Sequence, residues 1–169
     1  MEKTLRIINQ MQQEGIFQQY AIGGGIAAIF YIEPVVTFDL DVFVILPEQN
    51  DILLSLSPIY DWLHKKGYSD INEQILIEGI PVQFIPVYNE LVREAVENAE
   101  KKEYNKVDTF VIKPEYLLVI MLQTNRPKDK ERIIVMLEEA KLSVDLLERI
   151  LVKYNLKNQF NKFKDILNG

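Results

Sequence analysis

Thr37-Phe38-Asp39-Leu40-Asp41-Val42-Phe43-Val44-Ile45-Leu46 is dense in β-branched and aromatic residues and is stopped by Pro47. It reads as a strand over 37–46. Side chains alternate faces along a strand, so Asp39 and Asp41 point the same way. Phe38, Leu40, Val42 and Val44 then point the other way, toward a core. Two carboxylates at this spacing, roughly 7 Å apart by twice the strand rise, repel each other. A cation between their tips relieves the repulsion. Magnesium suits the arrangement, because it takes one or two carboxylates, several waters and phosphate oxygens. Taken alone, an Asp-x-Asp also reads as two acids on the solvent face of an edge strand.

The segment just upstream adds to the first reading. Phe17 to Ile22 reads as a short strand, Gly23-Gly24-Gly25 as a turn, and Ile26 to Phe30 as a short helix ended by Pro34. Glycines let backbone N–H groups approach a phosphate, and a helix N-terminus favours negative charge. The same glycines would also serve a plain strand-to-helix connection. The order is what matters: a phosphate turn, one helix, then same-face acids. It sets an anion site beside a cation site.

Outward from this centre, residues 2–14 read as a helix, with Leu5, Ile8 and Met11 at helical spacing. Asn50 or Asp51 caps a helix running to about Lys66, with Ile52, Leu53, Leu56, Ile59, Tyr60 and Leu63 on its apolar face. His64 falls in its last turn, where positive charge is ordinary. Residues 74–78 and 81–86 read as strands joined through Gly79. A charged helix over 88–102 and a strand over 107–112 follow. Helices then open at Pro114, Pro127 and Ser143, and a last amphipathic helix follows them. The expected fold is α/β (α+β), a mixed sheet flanked by helices. Residues 1–112 form the α/β core and residues 113–169 a helical C-terminal region packed on it.

The 169 residues are 48% hydrophobic and 26% charged, the balance of a globular chain rather than a disordered one. Absence of cysteine excludes disulfides and thiolate metal sites, and the single histidine excludes a multi-histidine zinc site. The net charge of −6 gives no basic footprint for long nucleic acid. No signal-peptide pattern or membrane-length apolar run is present, so a cytoplasmic location and no membrane partner are expected.

Gly24-Gly25 followed by Thr37-Phe38-Asp39-Leu40-Asp41 and an apolar strand resembles the signature of the nucleotidyltransferase superfamily. The closest likeness is to the group of AbiEii-type toxins and minimal nucleotidyltransferases. A second match is Pro114-Glu115-Tyr116-Leu117-Leu118 continuing to Asn125-Arg126-Pro127-Lys128-Asp129, similar to a helical motif of that group. The resemblance covers residues 16–140. It implies that Asp39 and Asp41 are catalytic and hold Mg2+. It also implies that Gly23, Gly24, Gly25, Thr37, Gln83, Arg126, Lys128 and Asp129 bind a nucleoside triphosphate. An acceptor hydroxyl, on a small molecule, protein or RNA end, would attack the α-phosphorus, and pyrophosphate would leave. A protein partner, as in a toxin–antitoxin pair, or a homodimer is also within its scope.

The sequence departs from the pattern in two places. Gln83 stands where the family supplies a third carboxylate, and Arg132 stands where the group often carries an acid. Glu78 and Asp108 are candidate substitutes for the third acid from nearby strands. Catalysis therefore competes with a degenerate, binding-only reading. Lys128 and Asp129 also read as ordinary first-turn charges after Pro127. Tyr20, Tyr31 and Trp62 read as packing aromatics.

Overall fold

The computed structural model describes residues 1–33, 37–48 and 55–168. Helix α1 (Glu2–Gln13) leads into strand β1 (Gln19–Ile22), short helix α2 (Gly24–Ile29) and strand β2 (Leu40–Ile45). Helix α3 (Ser57–Lys65) precedes strands β3 (Ser69–Ile71), β4 (Gln74–Ile77) and β5 (Ile80–Pro86). Helix α4 (Glu90–Glu97) precedes strands β6 (Glu100–Tyr104) and β7 (Val107–Val111). Four helices complete the described chain: α5 (Pro114–Thr124), α6 (Pro127–Glu139), α7 (Val144–Lys153) and α8 (Lys157–Asn168).

The strands form one mixed sheet in the order β3-β4-β5-β2-β1-β7-β6. Strand β2 is central, antiparallel to β1 and parallel to β5. The expected mixed sheet flanked by helices is thus the observed one. Strand β2 is buried on both faces: Leu40, Val42 and Val44 on one, Phe43 and Ile45 on the other. Helices α1 and α3 cover the first face, where Phe84 of β5 meets the rings of Phe17 and Tyr60. Helices α2 and α4 cover the second, and α5 packs on both of them. Helices α6 and α7 lie on α5, and α8 is tied to it by Gln159 Nε2 donating to the Leu122 carbonyl at 2.7 Å. Helix α5 is buried along nearly its whole length, as its apolar composition requires.

Several sequence expectations need correction. Strand β2 begins at Leu40, not Thr37, so the period-two alternation does not reach Phe38, which is 78% exposed rather than in the core. The charged helix expected over 88–102 is helix α4 followed by strand β6. Glu and Lys favour helix locally, but Asn105 and Lys106 both take positive φ. They form the tight turn of a β6–β7 hairpin, and pairing with β7 overrides the local preference. Strand β3 was not anticipated; its turn to β4 uses Asn72 at positive φ. The expected caps Asn50 and Asp51, and Ile52, Leu53 and Pro34, lie outside the described residues.

Candidate functional site

The site lies where the carboxyl end of β1, the start of β2 and the middle of β5 meet α5 and the loop into α6. Asp41 and Gln83 are register partners on the parallel strands β2 and β5, with Phe43 and Ile85 the next same-face pair. Neighbouring strands are about 4.8 Å apart, so the Asp41 carboxyl and the Gln83 amide share one patch of the sheet. This patch is the floor of a cleft of about 310 Å³. Its walls come from Gly24, Tyr88, Leu117, Met121, Thr124 and Arg126.

The glycine turn closes on Asp41. The Gly23 N–H donates to the Asp41 carbonyl at 3.0 Å. Gly24 has φ +59, and a Cβ there would stand 2.0 Å from Asp41 Oδ2. Only glycine meets both conditions, a left-handed backbone and contact with a carboxylate. A Cβ on Gly25 would stand 2.7 Å from Arg132 Nη2 and 2.8 Å from Thr37 Oγ1. Thr37 therefore sits against the turn, although it precedes β2.

Asp41 is mostly buried, and burial pushes its carboxyl pKa up. The nearby charges of Arg126, Lys128 and Arg132 pull it down, and that of Asp39 pushes it further up. Asp39 is exposed and lies ahead of β2, so the two acids are electrostatic neighbours but not two positions of one strand. No side chain among the described residues donates a hydrogen bond to the Asp41 carboxylate. A partly buried carboxylate to which no side chain donates is suited to a cation. Asp39, Asp41 and Gln83 offer oxygen donors of the kind magnesium takes, although no cluster of three or more acidic or histidine side chains occurs among the described residues.

Arg126 is aimed by Asp129. Arg126 Nε donates to Asp129 Oδ2 at 2.6 Å and Nη2 to Oδ1 at 3.2 Å, while Thr124 Oγ1 donates to Oδ2 at 2.9 Å. Asp129 is fully buried, so the expectation that it touches nucleotide gives way to one that it holds Arg126, which lines the cleft. The bonds to Asp129 raise the Arg126 pKa further, keeping it a permanent cation. Lys128 is exposed in the first turn of α6. Glu78 and Asp108 are not substitutes for the third acid. Glu78 sits in the β4–β5 turn and accepts from Tyr68 Oη at 2.8 Å, and Asp108 pairs with Lys101 at 2.7 Å.

Sequence reasoning passed over Tyr88, Thr124 and the placement of Arg132. Tyr88 is 52% exposed at the exit of the strand that carries Gln83, between Pro86 and the Asn89 cap of α4. Its position just past that strand was the available signal. Arg132 lies three residues after Asp129 on α6, a spacing that puts both on one helix face.

Neither a protein-family model nor a curated protein sequence matches the chain. Solved structures do. An antigenic nucleotidyltransferase-like protein from Paracoccidioides brasiliensis is similar with a TM-score of 0.59 and 13% identity, covering 95% of this chain and 89% of that one. The antibiotic-resistance factor ANT(2'')-Ia in solution is similar with a TM-score of 0.51 and 12% identity, covering 99% of each chain. A crystal structure of ANT(2")-Ia in complex with adenylyl-2"-tobramycin gives 0.52 and 13%, covering 89% of this chain and 96% of that one. At such identities the likeness is one of architecture, and by that measure the chain has a nucleotidyltransferase-like fold.

Proposed function

We propose that the cleft binds one magnesium–nucleoside triphosphate unit, and that transfer of the nucleotidyl group is weak or absent in the native chain. The observation that carries this reading is the register pairing of Asp41 with Gln83. Asp41, with Asp39 beside it, offers a metal site under the glycine turn. The strand next to it supplies an uncharged amide where a third carboxylate would complete the site on the attacking side. When bound, magnesium offsets phosphate charge and lowers the pKa of an attacking hydroxyl.

The residues of the chain divide the work. Asp39 and Asp41 hold the metal. The backbone of Gly23 to Gly25, with Thr37 against it, lies along the phosphates. Arg126, fixed by Asp129, and Lys128 offset their charge. Gln83 can touch the metal's water shell but is a poor proton acceptor. Transfer would form a bond from the acceptor oxygen to the α-phosphorus and break the bond to the β-phosphate oxygen. The hydroxyl proton then needs a base, and Gln83 is not one. The likeness to AbiEii-type toxins rests on the segment from Pro114 to Asp129, and this reading needs no antitoxin or other protein partner. No described helix is long and apolar enough to cross a membrane.

The test compares native protein with Gln83→Asp in a transfer assay with labelled triphosphates, scored on protein, RNA and released pyrophosphate. The reading expects little transfer by the native chain and stronger binding of a second metal by the variant. Robust native activity that survives Gln83→Ala contradicts it.

A further inference from the structure

Arg132 is nearly buried, with 12% of its side chain exposed. Its guanidinium carries five N–H donors and accepts nothing. Among the described residues it donates no hydrogen bond. Its ion-pair partner among those residues, Asp129 Oδ1, is 3.8 Å from Nη1, beyond hydrogen-bond reach. Asp129 Oδ2 already accepts from Thr124 and Arg126 Nε, and Oδ1 from Arg126 Nη2. Among the described residues no buried side-chain nitrogen or oxygen lacks a hydrogen-bond partner, so the unbonded guanidinium nitrogens reach solvent, where an anion can meet them.

The position of the head group says where the anion sits. Arg132 Nη2 abuts Gly25, and Asp41 Oδ2 abuts the preceding Gly24. Adding these reaches across one trans peptide puts the two charged groups no more than about 12 Å apart. A partly buried carboxylate and a guanidinium with 12% of its side chain exposed, neither hydrogen-bonded through its side chain among the described residues, thus abut consecutive residues of one turn. The first awaits a cation and the second an anion. A metal-bound polyphosphate supplies both.

We infer that Arg132 is an anion ligand beside the glycine turn at the edge of this cleft, placed to bind the outer phosphates of a triphosphate and to carry part of the charge a second metal would otherwise offset. The inference rests on the proposed triphosphate reading and deepens it. Gln83 removes a negative charge from the metal side, and Arg132 adds a positive one on the phosphate side. Arg126, set by Asp129, and Arg132, three residues further along, then approach the polyphosphate from the start of α6, and planar guanidinium forks suit phosphate oxygens.

The probe is inorganic tripolyphosphate, titrated calorimetrically in EDTA into the full native chain, Arg132→Gln and Arg132→Lys. The native chain binds it without metal. Arg132→Gln weakens that binding at least tenfold, Arg132→Lys retains part of it, and binding of inorganic monophosphate is alike in all three. Equal tripolyphosphate affinity in native and Arg132→Gln overturns the inference, as does a native chain that binds none in EDTA. Should Arg132→Gln not fold, Arg132→Lys decides: unchanged affinity there, where the fork is lost, overturns it. Failure of the triphosphate reading shows separately, as no binding of magnesium with a non-hydrolysable nucleoside triphosphate by the native chain.

Discussion

Asp41 Oδ2 lies 2.0 Å from the point where a Cβ on Gly24 would be, so the carboxylate fills the space that any side chain at Gly24 would need. The Gly24 backbone is left-handed, at φ +59. Gly24→Ala therefore meets two penalties, a strained backbone and a displaced carboxylate. Residues held in such conformations cost about 1–3 kcal/mol. A lower melting temperature is expected, with loss of magnesium–triphosphate binding. A Gly24→Ala variant that melts as native and binds as native would show that the contact is not needed.

The raised pKa of Asp41 has a consequence for stability. Its carboxyl titrates higher in the folded chain than in the unfolded one, because burial disfavours the charge. Above the folded pKa the buried charge opposes folding. As pH falls through that pKa toward the ordinary carboxylate value, protonation removes the penalty. Without metal, Asp41→Asn should be more stable than native at neutral pH, and the difference should vanish below the ordinary carboxylate range. A gain of about 1 kcal/mol would raise Tm by about 2–4 °C in a chain of this size. With magnesium and triphosphate the order should reverse. Thermal melts across pH, with and without ligand, check both halves; a metal-free variant less stable than native at neutral pH contradicts the assignment.

Asp129 is fully buried and takes hydrogen bonds from Thr124 and Arg126. Asp129→Asn keeps the shape but loses the charge and leaves donors facing one another. The expected loss of stability is about 1–3 kcal/mol. Arg126, half-exposed and no longer clamped, should bind triphosphate more weakly. Denaturant melts and titrations on the same variant separate the two effects, and a stable variant with native affinity would remove Asp129 from the account.

The central strand was readable because Leu40, Val42, Phe43 and Val44 leave no other place for themselves than a core, whereas Gln83 was singled out by the family resemblance and its pairing with Asp41 is a matter of sheet register. The glycine turn was readable for the same reason, since few other roles call for three glycines between a strand and a helix. What failed was local. Phe38 and Asp39 were given strand periodicity that begins only at Leu40. Residues 100–104 have helix-forming side chains, and only the hairpin turn at Asn105 and Lys106 makes them a strand. The roles of Asp129 and Arg132 depend on how the start of α6 packs against the glycine turn, a contact between segments about a hundred residues apart that no local pattern reports.

The most direct measurement is calorimetric titration of magnesium with a non-hydrolysable nucleoside triphosphate into the native chain and into the double variant Asp39→Asn with Asp41→Asn. The account predicts magnesium-dependent binding of one triphosphate per native chain. It predicts no such binding by the variant, which should retain the native far-ultraviolet circular dichroism and melt no lower. Equal affinity in the two proteins would show that these acids are surface charge and that the cleft is not a metal–triphosphate site.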